Sequence, residues 1–150
     1  MSLKQKLQSD LNEAIKSRNT VSAETIRMIL AAITNEEVAG KEKKELSDAE
    51  VITVLTREAK KRREAAEAFE NGGRADRAAA ERAEGEVIAG YLPEQLSEDD
   101  IKKLIAETIA AVGAIGPSDM GKVMGGLKAK VAGKADGALV SSLVKEALNK

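Results

Sequence analysis

The chain of 150 residues contains no cysteine, no histidine and no tryptophan. Without cysteine there are no disulfides and no thiolate nucleophile, and without histidine there is no imidazole base. Zinc sites built on either residue are excluded with them, as are Ser-His and Cys-His catalytic arrangements. Phe69 and Tyr91 are the only aromatic side chains, too few for a reader that stacks single-stranded bases on aromatic platforms. Only two prolines occur, Pro93 and Pro117, and neither interrupts a periodic segment. Lys and Arg number 24 against 25 Asp and Glu, a formal net charge of −1, so bulk charge does not draw the chain to nucleic acid. No apolar run approaches the roughly 20 residues that span a bilayer. The opening residues are charged from Lys4 onward and lack the apolar stretch of a signal peptide. The expectation is a cytoplasmic protein with no membrane partner.

What the chain does have is abundant Ala, Glu, Lys and Leu in helical periodicity, and the predicted fold class is all-α. Leu3, Leu7, Leu11 and Ile15 space a first helix, with Ser2 as its N-cap. Ile26, Ile29, Leu30 and Ile33 form the apolar stripe of a second. The polar run from Gly40 to Leu46 reads as a loop, and Ser47 with Glu50 makes a capping box that opens a third helix. That helix is expected to reach about Glu70 and stop at Asn71-Gly72-Gly73. A fourth runs from about Arg74 to Tyr91 and must end near Leu92, because Pro93 follows. Ser97 and Asp100 make another capping box, opening a fifth helix with Ile101, Leu104, Ile105, Ile109 and Val112. Ser118 is the expected cap of a sixth, carrying Met120, Val123, Met124, Leu127 and Val131. After the turn Gly133–Gly137, a seventh carries Val140, Leu143, Val144 and Leu148.

A boundary is expected around Pro93–Leu96. All eight arginines precede it, and every later cation is lysine. Residues 1–93 form an N-terminal helical domain with a long helical hairpin. Residues 97–150 form a small three-helix domain, about 55 residues and so close to the lower size limit for independent folding.

Several short stretches, taken in order, resemble the YqeY family. They are Glu24-Thr25-Ile26-Arg27, Lys60 and Arg62 before Phe69, Gly73-Arg74 with Asp76, Glu81 and Glu84, and Tyr91-Leu92-Pro93. The later ones are Asp119-Met120-Gly121-Lys122 and Gly133-Lys134-Ala135-Asp136-Gly137. Arg77 and Gly85 depart from the pattern, standing where an aliphatic residue is usual. Members of this family resemble the C-terminal tail of the GatB subunit of tRNA-dependent amidotransferases. The resemblance implies the two-part helical architecture and a link to tRNA or to glutamine-dependent amide formation on aminoacyl-tRNA. It supplies no active site, because the phosphorylating chemistry of the amidotransferase belongs to a separate domain. The implied function is a non-catalytic, tRNA-associated accessory protein. The alternatives are a component of glutamine-dependent carbon-nitrogen ligase activity and a helical protein-protein adaptor. The implied partners are tRNA or a protein of the translation or amidotransferase machinery.

The residues themselves offer two candidate sites, neither catalytic. On the third and fourth helices, Glu58, Arg62, Arg74, Arg77, Glu81 and Glu84 fall on facing stripes. Reflection about the Asn71–Gly73 turn sets Arg62 opposite Glu81. A salt-bridged structural hairpin accounts for this cluster best, and the functional alternative is a grip on phosphate or carboxylate through Arg62, Arg74 and Arg77. Glu81 and Glu84 could share Mg²⁺, but the neighbouring arginines compete for both, so no metal and no cofactor is expected. On the sixth helix, Gly121, Gly125, Gly126 and Ala129 are expected outside, with Lys122 among them and Lys128 and Lys130 on the flanks. Glycine inside a helix costs about 0.8–1 kcal/mol relative to alanine. Such a smooth face suits close approach by a sugar-phosphate backbone, with Lys134 in the following turn as a further phosphate contact; the alternatives are another protein helix packing on the small residues and a weak, fraying helix with no partner.

Overall fold

Seven α-helices, one 3₁₀ turn and no strand make up the described part of the chain in a computed structural model that describes residues 1–149. The helices are α1 (Leu3–Lys16), α2 (Thr20–Val38), α3 (Asp48–Asn71), α4 (Ala75–Ala89), α5 (Glu98–Val112), α6 (Met120–Val131) and α7 (Gly137–Leu148). The 3₁₀ turn, Pro117–Asp119, precedes α6. The chain divides into two compact units, Met1–Leu92 and Pro93–Lys150.

In the first unit, α1 to α4 bury aliphatic side chains against one another. Leu7, Ile26, Ile29, Ile33, Val51, Leu55 and Ile88 form the centre of the core. Ile15 does not join them; α1 ends one residue later, and its side chain is 46% exposed. Capping boxes form at Ser2 with Gln5 and at Ser47 with Glu50, each satisfying a backbone N–H that the helix leaves free. The α3–α4 hairpin turns at Gly73, whose φ of 77° lies in the left-handed region that glycine adopts without a Cβ penalty. The fourth helix is shorter than its sequence pattern suggests. It starts after Arg74, which caps it through the backbone alone, and ends at Ala89. The last turn is carried on by bonds from Tyr91 N–H to the Ile88 carbonyl and from Leu92 N–H to the Ala89 carbonyl.

In the second unit, α5, α6 and α7 enclose Ile101, Ile105, Val123, Leu127, Val140 and Val144. The Ser97–Asp100 capping box opens α5. Ser118 does not cap α6. Pro117 starts a 3₁₀ turn instead, Asp119 stands at the N-cap of α6 without a side-chain cap bond, and its carboxylate accepts from the backbone N–H of Ile115 at 2.9 Å. The Asp119 side chain is thereby committed to the turn before the helix rather than to the helix.

The loop between α2 and α3 is tied down by a residue that the periodicity left unremarked. Glu37 is 4% exposed. Its carboxylate receives the Lys4 ammonium at 2.8 Å and the Leu46 backbone N–H at 3.1 Å, and its carbonyl accepts from Lys44 N–H at 3.0 Å. The Lys4 ammonium, and then the Leu46 N–H, hold the carboxyl below the usual carboxylate range. A group lowered on folding stabilises the native state above its unfolded value, and that contribution is lost as pH falls through the folded value. Glu37→Gln is therefore expected to lower the melting temperature at neutral pH. The gap from wild type should close as pH falls through the lowered folded value, as followed by circular dichroism.

Candidate functional site

The α6 helix follows its apolar pattern, with Val123 and Leu127 buried and Met120, Met124 and Val131 packed beside them. Lys128 and Lys130 lie in its last turn, where cations offset the negative end of the helix dipole. A β-carbon built on Gly121 or Gly125 would meet nothing within 4 Å, so both positions face open space. Gly126 is different. A β-carbon there would lie 2.8 Å from the Thr108 γ-methyl and 3.7 Å from a Val112 methyl of α5. This corrects the expectation that all three glycines smooth one outer face: Gly126 is where α5 crosses closely over α6.

The lysines separate as well. At about 100° per residue, Lys122 and Lys128 each stand about 60° from Gly125, on opposite sides, whereas Lys130 is about 140° round, on the flank of Gly126. The open strip therefore consists of Gly121 and Gly125 with Lys122 and Lys128 as its rims. The Lys122 ammonium is 68% exposed and reaches Asp119 at 3.7 Å, a loose pair that a stronger anion can displace. Lys134 lies beyond the helix in a turn fixed by its own carbonyl, which accepts from Leu96 N–H at 2.9 Å. The Gln95 amide braces the same turn by donating to the Gly133 carbonyl at 2.8 Å.

The hairpin cluster is only partly assembled. Arg62 and Glu58, each 8% exposed, pair at 2.5 Å within α3. From α4, the carboxylate nearest Arg62 is Glu84, 3.6 Å from Nε, and not Glu81. Gly85 lies beside the arginine stem, where a β-carbon would stand 3.9 Å from the Arg62 Cβ, an ordinary contact distance. From α2, Met28 Sδ accepts from the guanidinium at 3.5 Å. Arg74 sits apart with Asp76 at 3.4 Å, where Arg77 also acts. Three arginines thus do not converge on one anion. Burial, followed by the adjacent Glu81 carboxylate, raises Glu84 above the usual carboxylate range against the pull of Arg62, and Glu24 of α2 adds to the rise.

A further cluster went unrecognised in the sequence. The Tyr91 hydroxyl donates to Asp10 at 2.5 Å, and Lys6 reaches the same carboxylate oxygen at 2.8 Å. The Lys6 ammonium also stands 5.2 Å from the centre of the Tyr91 ring. Lys6 and then Tyr91 hold Asp10 low, while burial and the bond to Asp10 push the Tyr91 hydroxyl up. This arrangement fastens the end of α4 to α1.

Two outcomes test these assignments. Gly125→Ala is expected to stabilise the chain by about 0.8–1 kcal/mol through helix propensity alone. Gly126→Ala gains the same propensity but forces a methyl onto Thr108, whose hydroxyl is tied to the Leu104 carbonyl at 2.8 Å. Overpacking of this kind costs about 1–3 kcal/mol, so it is expected to destabilise in urea unfolding. For Glu84, a raised folded value means that ionisation subtracts stability as pH rises through it. Glu84→Gln is therefore expected to melt higher than wild type at neutral pH, with the advantage shrinking in acid.

Residues 4–148 match the family model described as Yqey-like protein. A curated relative from Pyrenophora tritici-repentis (strain Pt-1C-BFP), named Altered inheritance of mitochondria protein 41, mitochondrial, is 30% identical over 145 residues. The match covers 94% of this chain and 78% of that protein. The matched span takes in nearly all of both helical units, and the chain belongs to the YqeY-like family.

Proposed function

We propose that this protein is a non-catalytic accessory module that holds tRNA by its sugar-phosphate backbone, in the manner suggested by its resemblance to the amidotransferase tail. The observation that carries this reading is the open strip of α6, where Gly121 and Gly125 have nothing within 4 Å of their β-carbon positions. Exposed Lys122 and Lys128 rim it. A strip without side chains lets a phosphate backbone come close, and two ammonium groups about 60° to either side can meet phosphates on both edges. Lys134, in the turn after the helix, would supply a further phosphate contact. Lysines on a backbone position RNA without reading its sequence. With a net charge of −1 on the whole chain, attraction is local and few phosphates are neutralised, so affinity is modest. Any phosphorylation or ammonia transfer is assigned to a separate protein, beside which this module would hold the RNA.

Fluorescence anisotropy with labelled bulk tRNA tests the reading. Binding is expected at low salt, with log K falling against log salt at a slope of about −2 to −4, near −0.9 per neutralised phosphate. Lys122→Glu with Lys128→Glu should weaken binding and flatten that slope by about two units. Lys130→Glu, on the far flank, makes the same charge change as either of these substitutions alone and should weaken binding less than either. Gly125→Leu should block the strip. No binding at low salt, or equal losses at all three lysines, would reject this face as an RNA site.

A further inference from the structure

The second unit has another face. Between α5 and α7 lies a groove of about 390 Å³. Ile109 and Leu143 supply its apolar floor, and Ala106 and Ala147 stand in its two walls. The small side chains of the two alanines leave space in it. Its charged residues differ by wall. Lys102 belongs to α5 and Glu146 to α7. The Lys102 ammonium reaches Glu98 on its own helix at 3.6 Å, and both are more than half exposed, so that pair holds the lysine only weakly. The α6 strip takes no part in this groove.

We propose that the α5–α7 groove docks one amphipathic helix of a partner protein, with an apolar pair in the groove, an acidic side chain towards Lys102 and a basic one towards Glu146. Three observations choose this occupant. The volume suits two or three aliphatic side chains, the payload of one helix face at i, i+3 or i+4. The opposite charges on the two walls fix the orientation of a helix carrying complementary charges, since a reversed helix would meet like charge on both sides. A second copy of the chain fits poorly, because a stable dimer buries about 800 Å² per partner, far more than a groove lined by seven residues offers. The inference does not depend on the RNA reading. Together the two faces would let one small unit join a protein to a nucleic acid.

The test is selection from a phage-displayed library of peptides about 16 residues long, roughly four helical turns, against the full chain. Enriched peptides should carry an apolar pair three or four residues apart, flanked by one acidic and one basic residue. Ala106→Trp, which fills the groove, should weaken the best peptide by about tenfold or more, as loss of a central anchor does. Its tRNA affinity should stay as in wild type, which separates failure here from failure of the RNA reading. Lys102→Glu combined with Glu146→Lys changes only exposed positions and preserves the fold. It should prefer the charge-swapped analogue of that peptide over the original. No enrichment, peptides that bind Ala106→Trp as well as wild type, or an unchanged preference in the double variant would each overturn the proposal. So would a wild-type dimer in sedimentation equilibrium that Ala106→Trp converts to monomer, since a second copy would then be the occupant.

Discussion

Among the described residues, Arg62 is the one buried cation, and α2, α3 and α4 are fitted around it. Its guanidinium pairs with Glu58 on its own helix, meets Glu84 on α4 and reaches Met28 on α2. Removing one member of such a buried pair typically costs about 3–5 kcal/mol, because the remaining charge is stranded away from water. Glu58 lies one turn before Arg62 on the same helix, so this pair holds the guanidinium on α3, in the place where it meets α4 and α2. The Arg62 Nε remains without a hydrogen bond, so the pairing fixes position more than it maximises bonding.

Local signals in the sequence translated well into structure, whereas signals needing a partner helix did not. The Ser2, Ser47 and Ser97 caps all formed, because each needs only three following residues. Ser118 failed because Pro117, also local, favoured a 3₁₀ turn. The Arg62–Glu81 pairing failed for a different reason. Reflection about a turn assumes equal advance along both helices, and here the α4 carboxylate that reaches the arginine is Glu84, one turn beyond Glu81. Glu37 was legible in principle: it continues the stripe of Ile26, Ile29 and Ile33 as an acid on an apolar face. Its partners at Lys4 and Leu46 lie too far off in sequence for periodicity to reveal.

The candidate RNA strip shows the same division within a single helix. Periodicity places Gly121, Gly125 and Gly126 outside the apolar stripe of α6 and treats them alike. Only the crossing of α5 distinguishes them, leaving two open and making the third a packing position. Because a helix pattern reports distance from its own apolar face, it cannot say which polar flank a neighbour covers. The lysines are exposed on each flank, with Lys122 and Lys128 to either side of Gly125 and Lys130 farther round the helix.

The bond between Tyr91 and Asp10 gives the molecule an unusual spectroscopic property. The only tyrosine and the only phenylalanine both lie in the first unit, and the second unit has no aromatic residue at all. Near-ultraviolet dichroism and intrinsic fluorescence therefore report on one half of the chain alone. The phenol, bonded to a carboxylate and lying under an ammonium, changes its emission when α4 separates from α1. The second unit can gain a ligand or unfold without altering that signal through any ring of its own. A native, label-free optical reading of the first unit is built into the sequence, and events in the second become visible by difference, in the backbone signal alone.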